Sequence, residues 1–256
     1  MVRLQAHRGV ASEYPENTMA AFNAAVTQGY RLIELDPKYT ADGRFVILHD
    51  RTLKRTARDS DGNAHELDIA EITYDEAKKY DYGVWFGERF KGEAIPTLTD
   101  VLNLAASNPD IALKFDNVWE SFPDELKSAF LREIAAHTAK NVGITCKSTD
   151  GVRLAAEILP HCEIHYDGMD LSDVTLCEVK RLSDGHRLTV WVCYDNANTR
   201  WFKGEKADRE LCAHMKRYGE LGIWLLTEKE ELMRAVGEFG ADAVETTGSL
   251  KISMLD

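Results

Sequence analysis

Short apolar runs alternate with longer amphipathic stretches along most of this chain. The apolar runs fall at 2–7, 31–36, 111–116, 142–146, 162–166, 188–193, 221–226 and 242–246, and each predicts a strand. Between them lie stretches with helical periodicity: "PENTMAAFNAAVTQGY", "TLTDVLNLAASN", "PDELKSAFLREIAAHT", "TDGVRLAAEILP" and "EKEELMRAVGEFG". Asp150 ahead of an apolar-periodic run reads as a helix start, and Thr227 followed by Glu230 reads as a capping box. Gly29 and Gly240 stand where helices should stop, each just before a strand. Eight strands with intervening helices predict an α/β fold, a parallel (β/α)8 TIM barrel. An open doubly wound sheet competes with it, but that would need a Gly-x-Gly-x-x-Gly turn after a strand, and the chain has none.

One segment breaks the alternation. After "GRFVILHD" the chain is polar and aperiodic, and "DYGVWFGERFKGEAIPTL" mixes aromatics with glycines. Residues 51–95 therefore read as a loop-rich insertion after the second strand, at the end of the barrel where active-site loops gather. No repeat or linker divides the chain, so residues 1–256 read as one domain of a length usual for such barrels. Exposed aromatics such as Trp85, Phe86, Trp119, Trp201 and Phe202 default to packing roles.

Composition narrows the function. A net charge of -12 argues against a nucleic-acid or anionic-membrane partner. It leaves room for a small phosphate substrate, because a few cations or a metal can reverse the field inside a pocket. The N-terminus lacks a signal-peptide core, and no apolar run is long enough to span a bilayer. Five cysteines without a Cys-x-x-Cys pair suggest neither a disulfide framework nor a zinc site, and read as reduced cytoplasmic thiols. Oligomeric state is not legible.

The chemistry-bearing residues cluster at predicted strand ends. In "RLIELDPKYT", Glu34 and Asp36 share one strand face while Ile33 and Leu35 take the other. Two carboxylates at that spacing either converge on a hard cation or form a solvated acidic pair. His7 ends the first strand and His49 ends "GRFVILHD". Two histidines beside such a pair suit proton transfer, one accepting from a nucleophile while the other protonates a leaving oxygen. Arg8 carries a forked donor set that matches phosphate oxygens, although a surface ion pair is its plain alternative. In "DIALKFDN", Lys114 lies on the same face as Ala112 and Asp116, opposite Ile111, Leu113 and Phe115. An inward lysine needs an anion, either the two acids or a bound phosphate.

"AHRG", "PENT", "ELD", "TADGRFVILHD", "TLKRT", "YGVWFGERFKGEAIPTL" and "GIWLLTEKEEL…GADAV" occur in this order from near residue 6 to near residue 246. With them the chain resembles the glycerophosphodiester phosphodiesterase family. The resemblance implies a (β/α)8 barrel that hydrolyses small glycerophosphodiesters to an alcohol and glycerol 3-phosphate with Mg²⁺ or Ca²⁺. It implies that His7 and His49 are the acid–base pair and that Glu34 and Asp36 bind the metal. Arg8 and Lys114 would hold the phosphate, Glu16 and Asn17 would shape the first loop, and Trp224 would line the pocket. In the family's mechanism a vicinal hydroxyl of the substrate attacks phosphorus, and water then opens the cyclic phosphate.

The chain departs from the pattern at one place. The family carries a third carboxylate two residues before the barrel lysine, and here that position is Ala112. Asp116 and Glu245 are the possible substitutes, and the late Thr-Asp segment of the family reads "ETTGS" at 245–249. Three alternatives to the simple reading follow: the same chemistry on a sugar or lipid head-group diester, a lyase that stops at the cyclic phosphate, and a non-catalytic phosphate-binding barrel.

Overall fold

The computed structural model describes residues 2–254. Eight parallel strands close into a barrel: β1 (Arg3–Ala6), β2 (Leu32–Leu35), β5 (Ala112–Phe115), β6 (Val142–Cys146), β7 (Glu163–Tyr166), β8 (Leu188–Cys193), β9 (Glu220–Leu226) and β10 (Ala243–Thr246). Their order round the barrel is β1-β10-β9-β8-β7-β6-β5-β2, with β1 pairing β2 to complete the ring. The crossover helices are α1 (Met19–Thr27), α3 (Leu98–Ser107), α4 (Asp124–Ala136), α5 (Thr149–Ile158), α6 (Asp173–Leu182), α7 (Arg209–Met215) and α8 (Lys229–Gly237). The short α2 (Tyr74–Ala77) belongs to the excursion after β2, as do β3 (Pro37–Tyr39) and β4 (Phe45–Ile47).

Alternation along each strand explains the two cores. Leu4, Ile33, Leu35, Leu113, Phe115, Ile144, Ile164 and Val190 face outwards and are buried under the helices. Their neighbours face the barrel axis, where Leu32, Ala112, Trp191 and Ala243 pack together with Trp224 beside them. The N-terminal end of the barrel is closed by charge. Arg3 pairs with Glu163 at 2.6 Å and Glu220 at 3.0 Å, and Arg187 pairs with Glu220 at 2.8 Å. Two glycines make the inner layer possible. A methyl group at Gly222 would overlap the Trp191 indole, and one at Gly143 would overlap the His165 ring. Trp191 Nε1 donates to His165 Nδ1 at 3.0 Å, tying the two rings across neighbouring strands.

Several local expectations are corrected. The helix expected to start from Asp150 is capped by Ser148, whose hydroxyl accepts from Gly151 N. The last box is formed by Glu228 and Glu231, one residue beyond Thr227 and Glu230, and Thr227 N donates to Glu231 Oε2 instead. The chain leaves the barrel sheet at Pro37 rather than Arg51, because β3 and β4 pair antiparallel as a hairpin beside the barrel. That hairpin is bifacial. Phe45 and Ile47 pack into the main core, whereas Val46 and Leu48 join Leu53, Ile69, Tyr82 and Ile95 in a satellite core. Trp119 is buried, not exposed, and donates to Thr145 O. No helix among the described residues is long and apolar enough to cross a membrane.

Gly222→Ala is expected to destabilise the barrel by about 1–3 kcal/mol through overpacking against Trp191. In chemical denaturation the Gly222→Ala/Trp191→Leu double variant should lose less than the sum of the two single losses, because the leucine vacates the contested space. Strict additivity would show that the two residues do not share that volume.

Candidate active site

The C-terminal ends of the barrel strands surround a cavity of about 680 Å³. His7, Arg8, Glu34, Asp36, His49, Lys114 and Trp224 all line it, so the structure brings every expected site residue to one place. Glu16 and Asn17 stand just behind them. The register explains the meeting: Glu34 on β2 pairs with Lys114 on β5, so acid and base stand at one height in the barrel.

The first loop is folded around these groups. Arg8 and Asn17 are non-glycine residues at positive φ, 56° and 55°. Such backbone is held only where its surroundings over-determine it. Here Arg8 N donates to Glu34 Oε2 at 2.9 Å, and Asn17 Nδ2 donates to Asp36 Oδ2 at 2.7 Å. Gly9 follows because a side chain there would collide with the Ala21 backbone at the start of α1. Thr18 caps that helix, accepting from Ala21 N.

His7 is one-fifth exposed, with Nε2 4.0 Å from Glu34 Oε2. Burial and the adjacent Arg8 push its pKa down to about 3, against the pull of Asp36. His49 is more exposed and makes a 2.6 Å contact from Nδ1 to Asp50 Oδ1. Asp50 is in turn gripped by Arg55, which donates from Nε at 2.7 Å and also reaches Glu16 from Nη1 at 2.6 Å. Glu16 accepts from Arg8 Nη1 at 2.9 Å. Arg55 thereby links the loop that carries His49 to the loop that carries His7 and Arg8. Its hydrogen bonds hold the Asp50 carboxyl below the usual carboxylate range. Asp50 and Arg55 were not singled out from sequence. Asp50 follows His49 directly, which was a usable signal, whereas nothing in the spacing ties Arg55 to Glu16.

Glu34, Asp36 and Glu245 are buried carboxylates. Burial raises the Glu34 pKa, and Asp36, Glu245 and Asp116 raise it further. Burial acts on Asp36 in the same direction, but Arg8, His49 and Asn17 override it and hold Asp36 below its ordinary value. The hydrogen bonds and ion-pair contacts of the two fall on one oxygen each, Glu34 Oε2 and Asp36 Oδ2. Two recessed oxygen donors that repel one another suit a hard divalent cation. Among the described residues no three His, Cys, Asp or Glu side chains are grouped closely enough to hold a metal without help.

The third family carboxylate has no direct replacement. Ala112 lies in the apolar layer with Leu32 and Trp191. Asp116 has left the strand and caps a short 3-10 turn, accepting from Val118 N at 3.0 Å. Glu245 accepts from Gln5 Nε2 and stands 3.9 Å from Lys114 Nζ. Lys114 Nζ also lies 4.4 Å from the centroid of the Trp191 ring. Asp167, beyond β7, is a further carboxylate in the cavity that sequence reading missed. Its Oδ1 accepts from Trp224 Nε1 at 3.1 Å, and burial lifts its pKa to about 6.

The model of the Glycerophosphoryl diester phosphodiesterase family matches residues 7–166, and the chain belongs to that family. It is 46% identical over 99 residues to the glycerophosphodiester phosphodiesterase of Caldanaerobacter subterraneus, a match that covers 39% of this chain and 38% of that one. It is 37% identical over 116 residues to the enzyme of that name from Bacillus altitudinis, covering 45% of each. The matches thus span less than half the length of these curated relatives. Among solved structures, an Oleispira antarctica phosphodiesterase in complex with its product sn-glycerol-3-phosphate superposes with a TM-score of 0.77 at 22% identity, covering 99% of this chain and 96% of that one. A Silicibacter pomeroyi relative superposes with a TM-score of 0.74 at 21% identity, over 96% of this chain and 90% of its own. These likenesses establish the barrel.

Burial raises the Glu245 pKa from 4.5 to about 7, against Lys114 and with the help of Asp167 and Asp116. The folded state therefore binds this proton more tightly than the unfolded chain does. The associated stability is fully present below about pH 4.5 and is lost as pH rises through 7. Glu245→Gln lacks that loss. In metal-free buffer its stability relative to the parent should rise between pH 5 and pH 8, by up to about 3 kcal/mol. A pH-independent difference between the two melting curves would refute the raised value.

Proposed function

We propose that this chain hydrolyses small glycerophosphodiesters to an alcohol and glycerol 3-phosphate, as a single barrel domain working in the cytoplasm. The observation that carries the reading is the convergence of His7, His49, Arg8, Lys114, Glu34 and Asp36 on one cavity. The names of the matched relatives support the same substrate class.

The chain's residues divide the work. Arg8 and Lys114 hold the phosphate and stabilise the charge that grows on it. Arg8 is steered for this by Glu16 and Asp36, which occupy part of its fork and leave its charge at the cavity wall. Glu34 and Asp36 would hold Mg²⁺ or Ca²⁺, which would supply Lewis-acid stabilisation of the negative charge that grows during the reaction. One histidine takes the proton from the substrate's vicinal hydroxyl as that oxygen forms its bond to phosphorus. The other gives a proton to the alcohol oxygen as its bond to phosphorus breaks. In the second stage water attacks the cyclic phosphate, the roles exchange, and the ring opens to glycerol 3-phosphate. Asp50 keeps Nδ1 of His49 engaged, which leaves Nε2 as the transferring atom and stabilises the imidazolium as it forms.

Ala112 supports a second reading, in which the barrel binds phosphodiesters without turning them over. Turnover separates the two. Alcohol release from glycerophosphodiesters should stop in EDTA and return with Mg²⁺ or Ca²⁺. His7→Ala and His49→Ala should each lower kcat by about 10²–10⁴-fold. Diesters without a vicinal hydroxyl should resist cleavage. Full activity in either histidine variant would sink the two-histidine mechanism, and saturable binding of diester without turnover would favour the second reading.

Arg55→Gln should lower kcat more than it raises KM, by roughly 10-fold, because Arg55 positions Asp50 and Glu16. Arg55→Lys should recover only part of the loss, since an ammonium cannot form the same fork. A KM effect without a kcat effect would place Arg55 outside the machinery.

A further inference from the structure

Beneath the cavity a column of polar side chains runs down the barrel axis. On β7, Glu163 and His165 share the inward face, and His165 is wholly buried. His165 Nδ1 accepts from Trp191 Nε1 at 3.0 Å, so the neutral ring carries its proton on Nε2. Burial keeps the ring neutral, and Lys114, Arg3 and Arg187 push its pKa the same way. Among the described residues Nε2 has no hydrogen-bond partner. Glu163 Oε2 stands 3.6 Å from it and is held by Arg3 Nη1 at 2.6 Å. A buried donor left without a partner is a cost that an apolar side chain would avoid. What the histidine supplies against that cost is one acceptor, aimed at the Trp191 indole.

The indole in turn faces Lys114. The ammonium lies 4.4 Å from the ring centroid and 3.9 Å from Glu245 Oε2, and neither contact is a close hydrogen bond. Its place at the cavity wall therefore depends on where the ring face stands. Leu32, Ala112 and Ala243 surround the ring with apolar groups, which fix its volume but do not choose which edge turns towards β7. An indole turned over in that layer would fill nearly the same space and point Nε1 away from His165. The hydrogen bond selects one orientation of the two.

Resting on the reading of Lys114 as a phosphate ligand, we propose that His165 is a positioning residue for the phosphate site: it fixes the Trp191 indole, whose face holds the Lys114 ammonium at the cavity wall. Neither His165 nor Trp191 lines the cavity, so both act through Lys114.

The place of Lys114 can be read without turnover. Lysine ε-methylene protons near an indole face resonate upfield of those of exposed lysines. In protein carrying isotope-labelled lysine, the Lys114 signal is assigned by its loss in Lys114→Met. The parent should show such an upfield signal. His165→Leu and His165→Gln, neither with an acceptor at the Nδ1 position, should each move it towards the ordinary lysine position. His165→Asn, whose amide oxygen can take the place of Nδ1, should restore most of the displacement. The polar Gln variant guards against a Leu variant that does not fold. On glycerophosphodiesters, His165→Gln should lower kcat/KM about tenfold, and the same change added to Lys114→Met should cost nothing further. A parent without an upfield lysine signal would overturn the positioning role. So would a signal unmoved by the loss of the acceptor, or a loss of kcat/KM equally large with and without Lys114. If the parent cleaves no diester, the hydrolase reading fails, and the resonance alone still decides whether His165 places Lys114.

Discussion

Glu34, Asp36 and Glu245 are three carboxylates removed almost wholly from water within one barrel mouth, and their mutual repulsion has to be offset on the spot. Ion pairing resolves it unequally. Asp36 has Arg8 and Asn17 and is stabilised as an anion, while Glu34, beside it on the same strand, is pushed towards its neutral form. Glu245 has Lys114 at a distance too long for a hydrogen bond and shares a contact with the Gln5 amide. The fold keeps this unfavourable concentration of charge because the rest of the barrel is apolar between strands and helices and fixed by ion pairs at the opposite end. A cation held at Glu34 and Asp36 would relieve the repulsion, so that ligand binding and local stability would be two readings of one electrostatic imbalance.

Fixing the first loop follows from the same imbalance. Arg8 can serve as a phosphate ligand only if the carboxylates around it do not take up its whole guanidinium. Glu16 takes Nη1, and Asp36 stands 3.4 Å from Nε. The left-handed backbone at Arg8 turns its amide towards Glu34, so backbone and side chain of one residue serve different acids. Arg55 then anchors Glu16 from the excursion after β2. The excursion is thus bound to the barrel through charge at its mouth as well as through Phe45 and Ile47 below.

The barrel was legible because inward and outward positions alternate on every strand, and that period survives whatever the loops do. His7, Glu34, Asp36 and Lys114 were legible for the same reason, being polar residues at inward positions of otherwise apolar strands. The hairpin at 37–47 was not among the predicted strands because its two faces are both buried, Phe45 and Ile47 on one core and Val46 and Leu48 on another, so its apolar run lacks the alternation of a half-exposed strand. Asp42-Gly43, with Gly43 at φ 75°, was the turn signal that distinguished it. Asp167 and Arg55 were not legible. Each gains its meaning from a residue far off in sequence, Trp224 for one and Glu16 for the other, and spacing along the chain carries no trace of those meetings.

Ala112 and Trp191 make sense only together. An acid at 112 would point into the layer that Trp191 fills, between Leu32 and Ala243, and Gly222 is without a side chain so that the indole can lie there. Replacing a carboxylate by an aromatic face changes what Lys114 experiences. A lysine beside an acid two residues away on its own strand face would be drawn to it. Here the ammonium rests over an indole, with Glu245 3.9 Å away, and neither neighbour accepts a close hydrogen bond from it. Its three donors remain available to a phosphate oxygen, and the indole stabilises the charge without consuming a donor. On the proposed reading, an alanine at 112 would shift the site's balance from holding a cation with protein oxygens towards holding an anion with a free ammonium.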